Sequence, residues 1–580
     1  MAVSCRHIML SSMGTSGPKA TKYLLNDQLR ESVFSAFGLW KLLPEDKRPT
    51  EVWFLLTPEA KDCSFRAIVN EATSLGLRVE TIDLPGGASD DTRHFLEIAA
   101  KRIPDDCQLT LNITEGLRHH AFLFFALALY LSEFRKNEIQ GVWYCRLETA
   151  NRDDPKPVID LKPILDLTRW FQALSVFRKT GSFNDIAGLI SDKCYRESFQ
   201  QLSTYFLNGM PIEAGNAASQ LLEQAKINRQ MVPEIPLASE IRQRLLEDVQ
   251  RLAGQRFEGQ SKKSVDLTND ELDRQGQFID RYIESGQYNL AFGLMREWVV
   301  SFFKMHSQET HWLDYETGRK PIEQKLGGLD AVQKGKDRQV VQPVRESLFE
   351  EQRLWAKRWG SIAEMRNTFQ HHGMKMASCP LNTKGLQKLL NDWENRSSWK
   401  LPPAFGGGHG RLLVCPIGMT PGVLYSAIKH TQPHRLVVIC SDQSLPFINE
   451  AVDQIGFQGE LQKLVFKDPF TGIDEFSTLT QQVSKWLFDA DEVHANLTGG
   501  TTLMGALVSS MLQLATREFQ RPVYDFVLID KRSPEVQRNN PWQLGDIHYF
   551  SKPPTTEQLS EPTVDTTDND LKCVVLPTNQ

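Results

Sequence analysis

Three residues past the middle of the chain, Arg366, Asn367 and His371, have types and a spacing suited to work on a phosphodiester. They belong to the stretch Arg366-Asn367-Thr368-Phe369-Gln370-His371-His372-Gly373. A guanidinium is a permanent cation whose planar fork matches phosphate oxygens. An imidazole exchanges a proton near neutral pH. On a helix, Asn367 and His371 stand four residues apart on one face, and Arg366 is turned away by about 100°. The arginine would hold the phosphate and the histidine would move a proton. The same residues also fit a solvated helix end, and an Arg-x4-His string is common by chance. The stretch alone leaves both readings open.

The element that must position this cluster is a long helical pattern starting near Pro343. Trp355, Trp359, Ile362 and Met365 recur at spacings of three and four, as on one buried stripe. Gly373 fits the residue that closes such a helix. Around it, 580 residues predict two to four domains, and the 41% hydrophobic and 24% charged shares are those of a globular protein. A net charge of −6 gives no global pull toward nucleic acid, so any RNA contact must be local. The nine cysteines form no CxxC pair, which predicts neither a zinc site nor a disulfide framework. The start lacks a signal-peptide pattern, and the most apolar run, 121–131, is too short to span a bilayer. A cytoplasmic protein without a membrane segment is expected.

Residues 1–165 alternate apolar strand-like runs with helical patterns, predicting a doubly wound parallel sheet. Strands are expected at 7–11, 52–56, 77–84, 109–113 and 142–147. Ligands of such sheets bind outside the strands' carboxyl ends. The first strand leads into Gly14-Thr15-Ser16, and the fourth into Asn112-Ile113-Thr114-Glu115-Gly116-Leu117-Arg118. Glycines and small hydroxyl residues let backbone N–H groups approach an anion or a base edge, and Arg118 adds a charged fork. GxGxxG is absent. These are either ordinary βα turns or a nucleotide site without phosphate-loop chemistry.

The segments IMLSSMGTSGPKATKYLL, NITEGLRHHAF and PVIDLKPILDLTRWFQALSVFRKTGSF resemble the CARF–HEPN proteins of type III CRISPR systems. The resemblance implies a Rossmann-like CARF sensor that pairs with its twin and binds a cyclic oligoadenylate. It implies ligand contacts from Gly14, Thr15, Ser16, Thr114, Gly116 and Arg118. Glu115 lies in the same turn, where relatives often carry another polar residue; it is counted with the ligand-binding set, and its role is open.

From 166 to 403 the patterns are helical, with loops expected at 254–268 and 327–338. This part resembles a HEPN domain, whose signature is Arg, four to six residues, then His. Arg366 and His371 fit with four between, the common Asn follows as Asn367, and His372 also satisfies the spacing. The form Arg-Asn-x-x-x-His-x-Gly favours His371. The resemblance implies metal-independent cleavage of single-stranded RNA in a groove shared by two HEPN domains, leaving a 2′,3′-cyclic phosphate and a 5′-OH. DNA, lacking the 2′-OH, is not expected to be cut. Glu297 is read as a structural ion-pair partner or as a bridge to Arg366.

After a glycine-rich linker at 404–410, a second strand–helix alternation covers 411–553. Its first strand ends in Gly418-Met419-Thr420, its second in Ser441, and its fourth in Thr498-Gly499-Gly500-Thr501-Thr502. NLTGGTTLMGALV resembles a CARF motif, and these nine residues are the implied contacts of a second CARF-like domain. Such a domain serves as a second sensor or as a ring nuclease that opens the activator. Thr502 stands where many relatives place Lys, with Lys531 as a substitute. Residues 554–580 read as a disordered tail.

The fold class expected is thus α/β plus all-α, in the order CARF, HEPN, CARF. The function implied is a cyclic oligoadenylate-activated endoribonuclease of antiviral defence, working as a homodimer or higher homo-oligomer. Its activator is expected to be cyclic tetra-adenylate, with no cofactor or metal and no membrane or DNA partner. The rival readings are a ring nuclease with a scaffold HEPN domain and a CARF-type ligand-responsive regulator.

Overall fold

The computed structural model describes residues 6–85, 91–148, 151, 153–228, 231–259, 261–306, 312–335, 338–370, 382–402 and 408–551. The chain divides into two compact units. One is Met1–Leu207 with Ala217–Ala253, and the other is Asn208–Asn216 with Gly254–Gln580.

The first unit is built on eight strands: β1 His7–Ser12, β2 Thr21–Leu25, β3 Gln28–Ser32, β4 Glu51–Leu56, β5 Arg78–Asp83, β6 Gln108–Asn112, β7 Glu138–Cys145 and β8 Lys156–Asp160. Their order is β3-β2-β8-β7-β6-β1-β4-β5. The five expected strands are all present and run parallel across the centre. β1 and β4 are buried along their whole length, which is why they read as apolar runs. One face packs on the helices Ser35–Leu42 and Pro58–Ser74, the other on Asp91–Arg102 and His120–Phe134.

Two features lie outside the expected parallel sheet. β8 runs antiparallel to β7, and the β2–β3 hairpin extends that edge. The hairpin turns at Asn26 and Asp27, whose φ angles of 47° and 63° are those of a primed turn. Its strands carry Lys22, Arg30 and Glu31 on an exposed edge, so they lack the apolar run of a central strand.

The second unit carries β9 Arg411–Pro416, β10 Arg435–Ser441, β11 Glu460–Phe466, β12 Glu492–Asn496, β13 Val523–Ile529 and β14 Asp546–Tyr549. The order is β11-β10-β9-β12-β13-β14, parallel except for β14. The sheet ends on the antiparallel β14. Strand for strand this repeats β5-β4-β1-β6-β7-β8 of the first sheet, with the last strand antiparallel in both; the first sheet then continues into the β2–β3 hairpin.

The helical part of this unit comprises Asn269–Glu284, Tyr288–Lys304, Lys320–Lys334, Arg338–Ser347, Glu350–Gln370 and Thr383–Glu394. Two expectations are corrected here. The pattern starting near Pro343 is broken at 348–349, and Pro343 lies in the separate helix Arg338–Ser347. Gly327 and Gly328, read as part of a loop, lie inside the helix Lys320–Lys334. A Cβ on Gly328 would collide with the Phe519 carbonyl, and one on Gly327 with the Gln520 amide. Here glycine lets a neighbouring backbone come close instead of breaking the helix. Leu329, Val332, Val341 and Val344 share one core with β9, β10 and β12, so the helical part and the second sheet pack as one body. Among the described residues no helix is long and apolar enough to cross a membrane. Residues 404–407 of the expected linker 404–410, and the whole expected tail 554–580, lie outside the described residues.

Candidate functional site

Arg366 and Asn367 lie in the last turn of Glu350–Gln370. A cluster of indoles holds this helix. Trp355 is fully buried, and its ring meets Trp399 edge-on at 5.2 Å. Trp399 packs against Trp298 at 5.9 Å and Trp393 at 5.8 Å. The Arg358 guanidinium lies 4.5 Å from the Trp399 ring centre and is bidentate to Asp392 at 2.9 and 3.1 Å. A paired, stacked arginine of this kind fixes rotation about the helix axis. Phe369 stacks on Phe292 at 5.7 Å and anchors the last turn.

Held this way, Arg366 and Asn367 face a cavity of about 570 Å3. Trp359 and Ala363 come from the same helix, Arg296 from Tyr288–Lys304, and Glu323, Gln324 and Asp330 from Lys320–Lys334. Most charges in its walls are paired. Arg296 is bidentate to Glu323 at 2.9 and 2.7 Å, and Lys334 bonds Asp330 at 2.6 Å. Arg366 is different: among the described residues it meets no carboxylate, only the Asn367 amide oxygen at 3.5 Å. A half-buried cation without a counter-ion, facing a cavity, attracts an anion. Glu297 bonds Arg319 at 2.8 Å and Arg296 at 3.0 Å, so its structural ion-pair reading holds and it makes no bridge to Arg366. His371, His372 and Gly373 lie outside the described residues.

The two sheets carry matching turns. In the first, the Asn112 amide oxygen accepts the Thr114 N–H at 3.3 Å, and the Thr114 hydroxyl accepts the Cys145 N–H at 2.8 Å. In the second, Asn496 accepts the Thr498 N–H at 3.0 Å, and the Thr498 hydroxyl accepts the Leu528 N–H at 2.8 Å. Each turn lies against the turn after the neighbouring strand. A Cβ on Gly14 would stand 3.6 Å from the Gly116 nitrogen, and one on Gly418 would stand 3.3 Å from the Gly500 nitrogen. Gly116, Gly499 and Gly500 have φ of 104°, 101° and 68°, values that L side chains rarely adopt. In both halves the threonine hydroxyl ties the turn to the next strand, which leaves the surrounding backbone as the surface open to a ligand.

In the first turn, Thr15, Ser16 and Arg118 are exposed. Glu115 replaces the glycine found in the second. Its Oε1 accepts the Ser35 N–H at 3.1 Å at the start of the helix Ser35–Leu42. Its Oε2 is sealed and meets no donor among the described residues. Burial pushes this carboxyl up to about 7.

The second turn borders a cavity of about 340 Å3, with Thr420 and Thr498 in its wall. Thr501 caps the helix Thr502–Arg517 by accepting the Met504 N–H at 3.3 Å. Met419 and Thr502 are exposed, and Ser441 bonds Ser444 in the turn after β10, away from that cavity. Lys531 is tied to Asp546 at 2.7 Å. The sequence reading missed Asp530 and Arg532, which also line this cavity. They form a bidentate pair at 2.9 and 2.6 Å that holds the Asp530 carboxyl below its ordinary range. Their position just after β13 was the available signal, since strand exits form the ligand edge of such sheets.

Fold and sites together define twin Rossmann-like sheets separated in sequence by a helical region that carries, on a cavity, an arginine without a carboxylate partner among the described residues. No family model matches the chain. Over 134 residues, 23% of its length, it is 25% identical to the CRISPR-associated protein MJ1674 of Methanocaldococcus jannaschii. The match covers 20% of that protein, so the chain spans about a fifth of the relative's length. Among solved structures, a type III CRISPR defence DNA nuclease activated by cyclic oligoadenylate aligns over 90% of this chain and 65% of its own, at 14% identity and a TM-score of 0.18. The C-domain of a bacterial malonyl-CoA reductase with NADP aligns over 92% and 93%, at 11% identity and a TM-score of 0.16. Scores this low establish no common fold.

Proposed function

We propose that this chain is a ribonuclease of type III CRISPR defence, switched on by cyclic oligoadenylate. The observation that carries the reading is Arg366: a cation that meets no carboxylate among the described residues, in the last turn of Glu350–Gln370, on a cavity, in the Arg-Asn-x-x-x-His frame. The local similarity to a CRISPR-associated protein supports the same setting.

In this reading Arg366 holds the scissile phosphate and offsets charge that develops on it. The ribose 2′-oxygen attacks phosphorus, a new O2′–P bond forms and the P–O5′ bond breaks. The 2′-OH gives up a proton and the leaving 5′-oxygen gains one, with His371 assisting this exchange. Asn367 orients His371 or binds a phosphate oxygen. A 2′,3′-cyclic phosphate and a 5′-OH remain, and no metal takes part.

The active form is a homodimer in this account. In the first unit, Phe122, Tyr130 and Phe134 recur along one face of His120–Phe134 and are 75%, 41% and 80% exposed. An apolar stripe of this kind on a water-soluble surface marks a protein contact. The Gly14–Gly116 turn takes the activator, and binding shifts the paired helix tips toward a cleavage-competent groove.

A second reading concerns the C-terminal sheet. Its cavity, bounded by Thr420, Thr498, Asp530 and Arg532, is suited to hold a nucleotide, where the ring is bound or opened.

The test is cleavage of a fluorogenic single-stranded RNA, with a DNA counterpart, with and without cyclic tetra- and hexa-adenylate and in EDTA. Cleavage of RNA alone, dependent on the ring and abolished in Arg366→Ala and His371→Ala, is the expected result. Full activity in both variants removes the catalytic assignment. Incubation with labelled ring reports activator cleavage, and an intact ring excludes it.

A further inference from the structure

We propose that Arg517, supplied by the C-terminal sheet domain, is a second phosphate-binding cation of the Arg366 cavity. This rests on the reading of that cavity as an RNA site. The cavity wall contains Arg517, Glu518 and Gln520, from the end of the helix Thr502–Arg517 and the turn beyond it. Of the cations in the wall, Arg296, Lys334 and Lys320 are neutralised by Glu323, Asp330 and Glu316. Arg366 and Arg517 are the two that meet no carboxylate among the described residues.

An arginine at a helix C-terminus has a simpler explanation, since it complements the helix dipole. Arg517 is exposed, as that explanation requires, but the turn just beyond it is locked. Phe519 is fully buried in the core shared with Leu329 and Ala356. Its carbonyl lies against Gly328, and the Gln520 amide lies against Gly327. Gln520 itself takes a left-handed φ of 52°, which is costly for a residue with a Cβ. The Arg521 N–H closes the turn on the Ala515 carbonyl at 2.8 Å. Arg517 is thus carried on a fixed platform at the cavity's edge, and preorganisation of this kind lowers the cost of binding.

The arrangement also gives the C-terminal domain a direct hold on the substrate. The same helix starts at the Thr498–Thr502 turn and runs about 24 Å to Arg517. A ligand at one end and RNA at the other would touch a single rigid element.

The experiment measures binding of a fluorescein-labelled single-stranded RNA by anisotropy across a NaCl titration. Full-length protein in the His371→Ala background, saturated with cyclic tetra-adenylate, is compared with Arg517→Gln, Arg517→Lys and the control Lys429→Gln. Arg517→Gln is expected to weaken binding about tenfold and to lower the slope of log K against log salt by about 0.7, the value for one phosphate contact on a single strand. Arg517→Lys should keep the slope, and Lys429→Gln should change neither quantity. If Arg517→Gln matches its parent, or loses no more than Lys429→Gln, while the wild-type chain cleaves RNA, this proposal fails and the ribonuclease reading stands. If the unsubstituted chain neither binds nor cleaves RNA, both fall.

Discussion

Gly328 lies directly beneath the carbonyl of Phe519, so a helix of the helical domain and the end of a helix of the second sheet domain meet backbone to backbone. Nothing larger than hydrogen fits between them. Gly328→Ala must push the Phe519 turn outward or bend the helix Lys320–Lys334. Overpacking of this type costs about 1–3 kcal/mol. A lowered urea midpoint is expected, together with weaker RNA cleavage because the Arg517 platform shifts. Gly505→Ala is the comparison, since open space surrounds that glycine on the same C-terminal helix. It should be neutral or slightly stabilising, because alanine is the better helix former.

The threonine staples predict paired losses. Thr498→Val keeps the shape but leaves the Leu528 N–H without its acceptor, in a residue only 7% exposed. A buried unsatisfied donor costs about 1–3 kcal/mol. Thr114→Val should do the same to the Cys145 N–H. Serine at either position keeps the acceptor, so Thr498→Ser and Thr114→Ser should recover most of the loss in urea unfolding.

Glu115 predicts a pH dependence with a definite sign. Its carboxyl titrates near 7 in the folded chain against 4.5 for an unburied glutamate. The folded state therefore holds the proton more tightly. The stabilising contribution is complete below about pH 4.5 and is lost as pH rises toward 7. Glu115→Gln cannot ionise and keeps an acceptor for the Ser35 N–H. It should melt higher than wild type at pH 8, by an amount worth at most about 3 kcal/mol. The gap should close toward pH 5. A constant gap across that range would mean that the carboxyl is not the titrating group.

The apolar stripe on His120–Phe134 predicts that pairing depends on it. Tyr130 and Phe134 stack at 5.6 Å and remain exposed. Phe122→Asp with Phe134→Asp should convert a dimer to a monomer in light scattering and abolish ring-stimulated cleavage. Neither side chain supports the core of the first unit, so the monomer should melt at nearly the wild-type temperature.

Much of this architecture was legible from local patterns, for a physical reason. Parallel strands covered on both faces must be apolar throughout, so β1, β4 and β6 announced themselves, and their exits located both turns. The β2–β3 hairpin escaped because its edge strands carry Lys22, Arg30 and Glu31, although Asn26-Asp27 was a usable turn signal. Gly327-Gly328 read as a loop because a glycine pair usually breaks a helix. Only the Phe519 carbonyl and the Gln520 amide, nearly two hundred residues away, explain the pair. The two cavities followed the same rule: Arg366 stood out by its frame, and Asp530 and Arg532 were marked by their place after β13, whereas Arg517 acquires meaning only from tertiary neighbours.

Arg366 allows the sharpest chemical test, because charge and geometry can be separated there. Arg366→Ala removes both and should lower the cleavage rate roughly a hundred- to thousandfold, the range for losing one donor to a developing oxyanion. Arg366→Lys keeps the charge but replaces a planar fork with a point charge on a flexible stem. If the arginine serves only to draw RNA into the cavity, lysine should restore both KM and kcat. If it holds the phosphate during bond exchange, lysine should restore KM while kcat stays low. The latter split is expected. The indole cluster, the Arg358–Asp392 pair and the Phe369 stack fix the helix end far more firmly than electrostatic attraction alone would require.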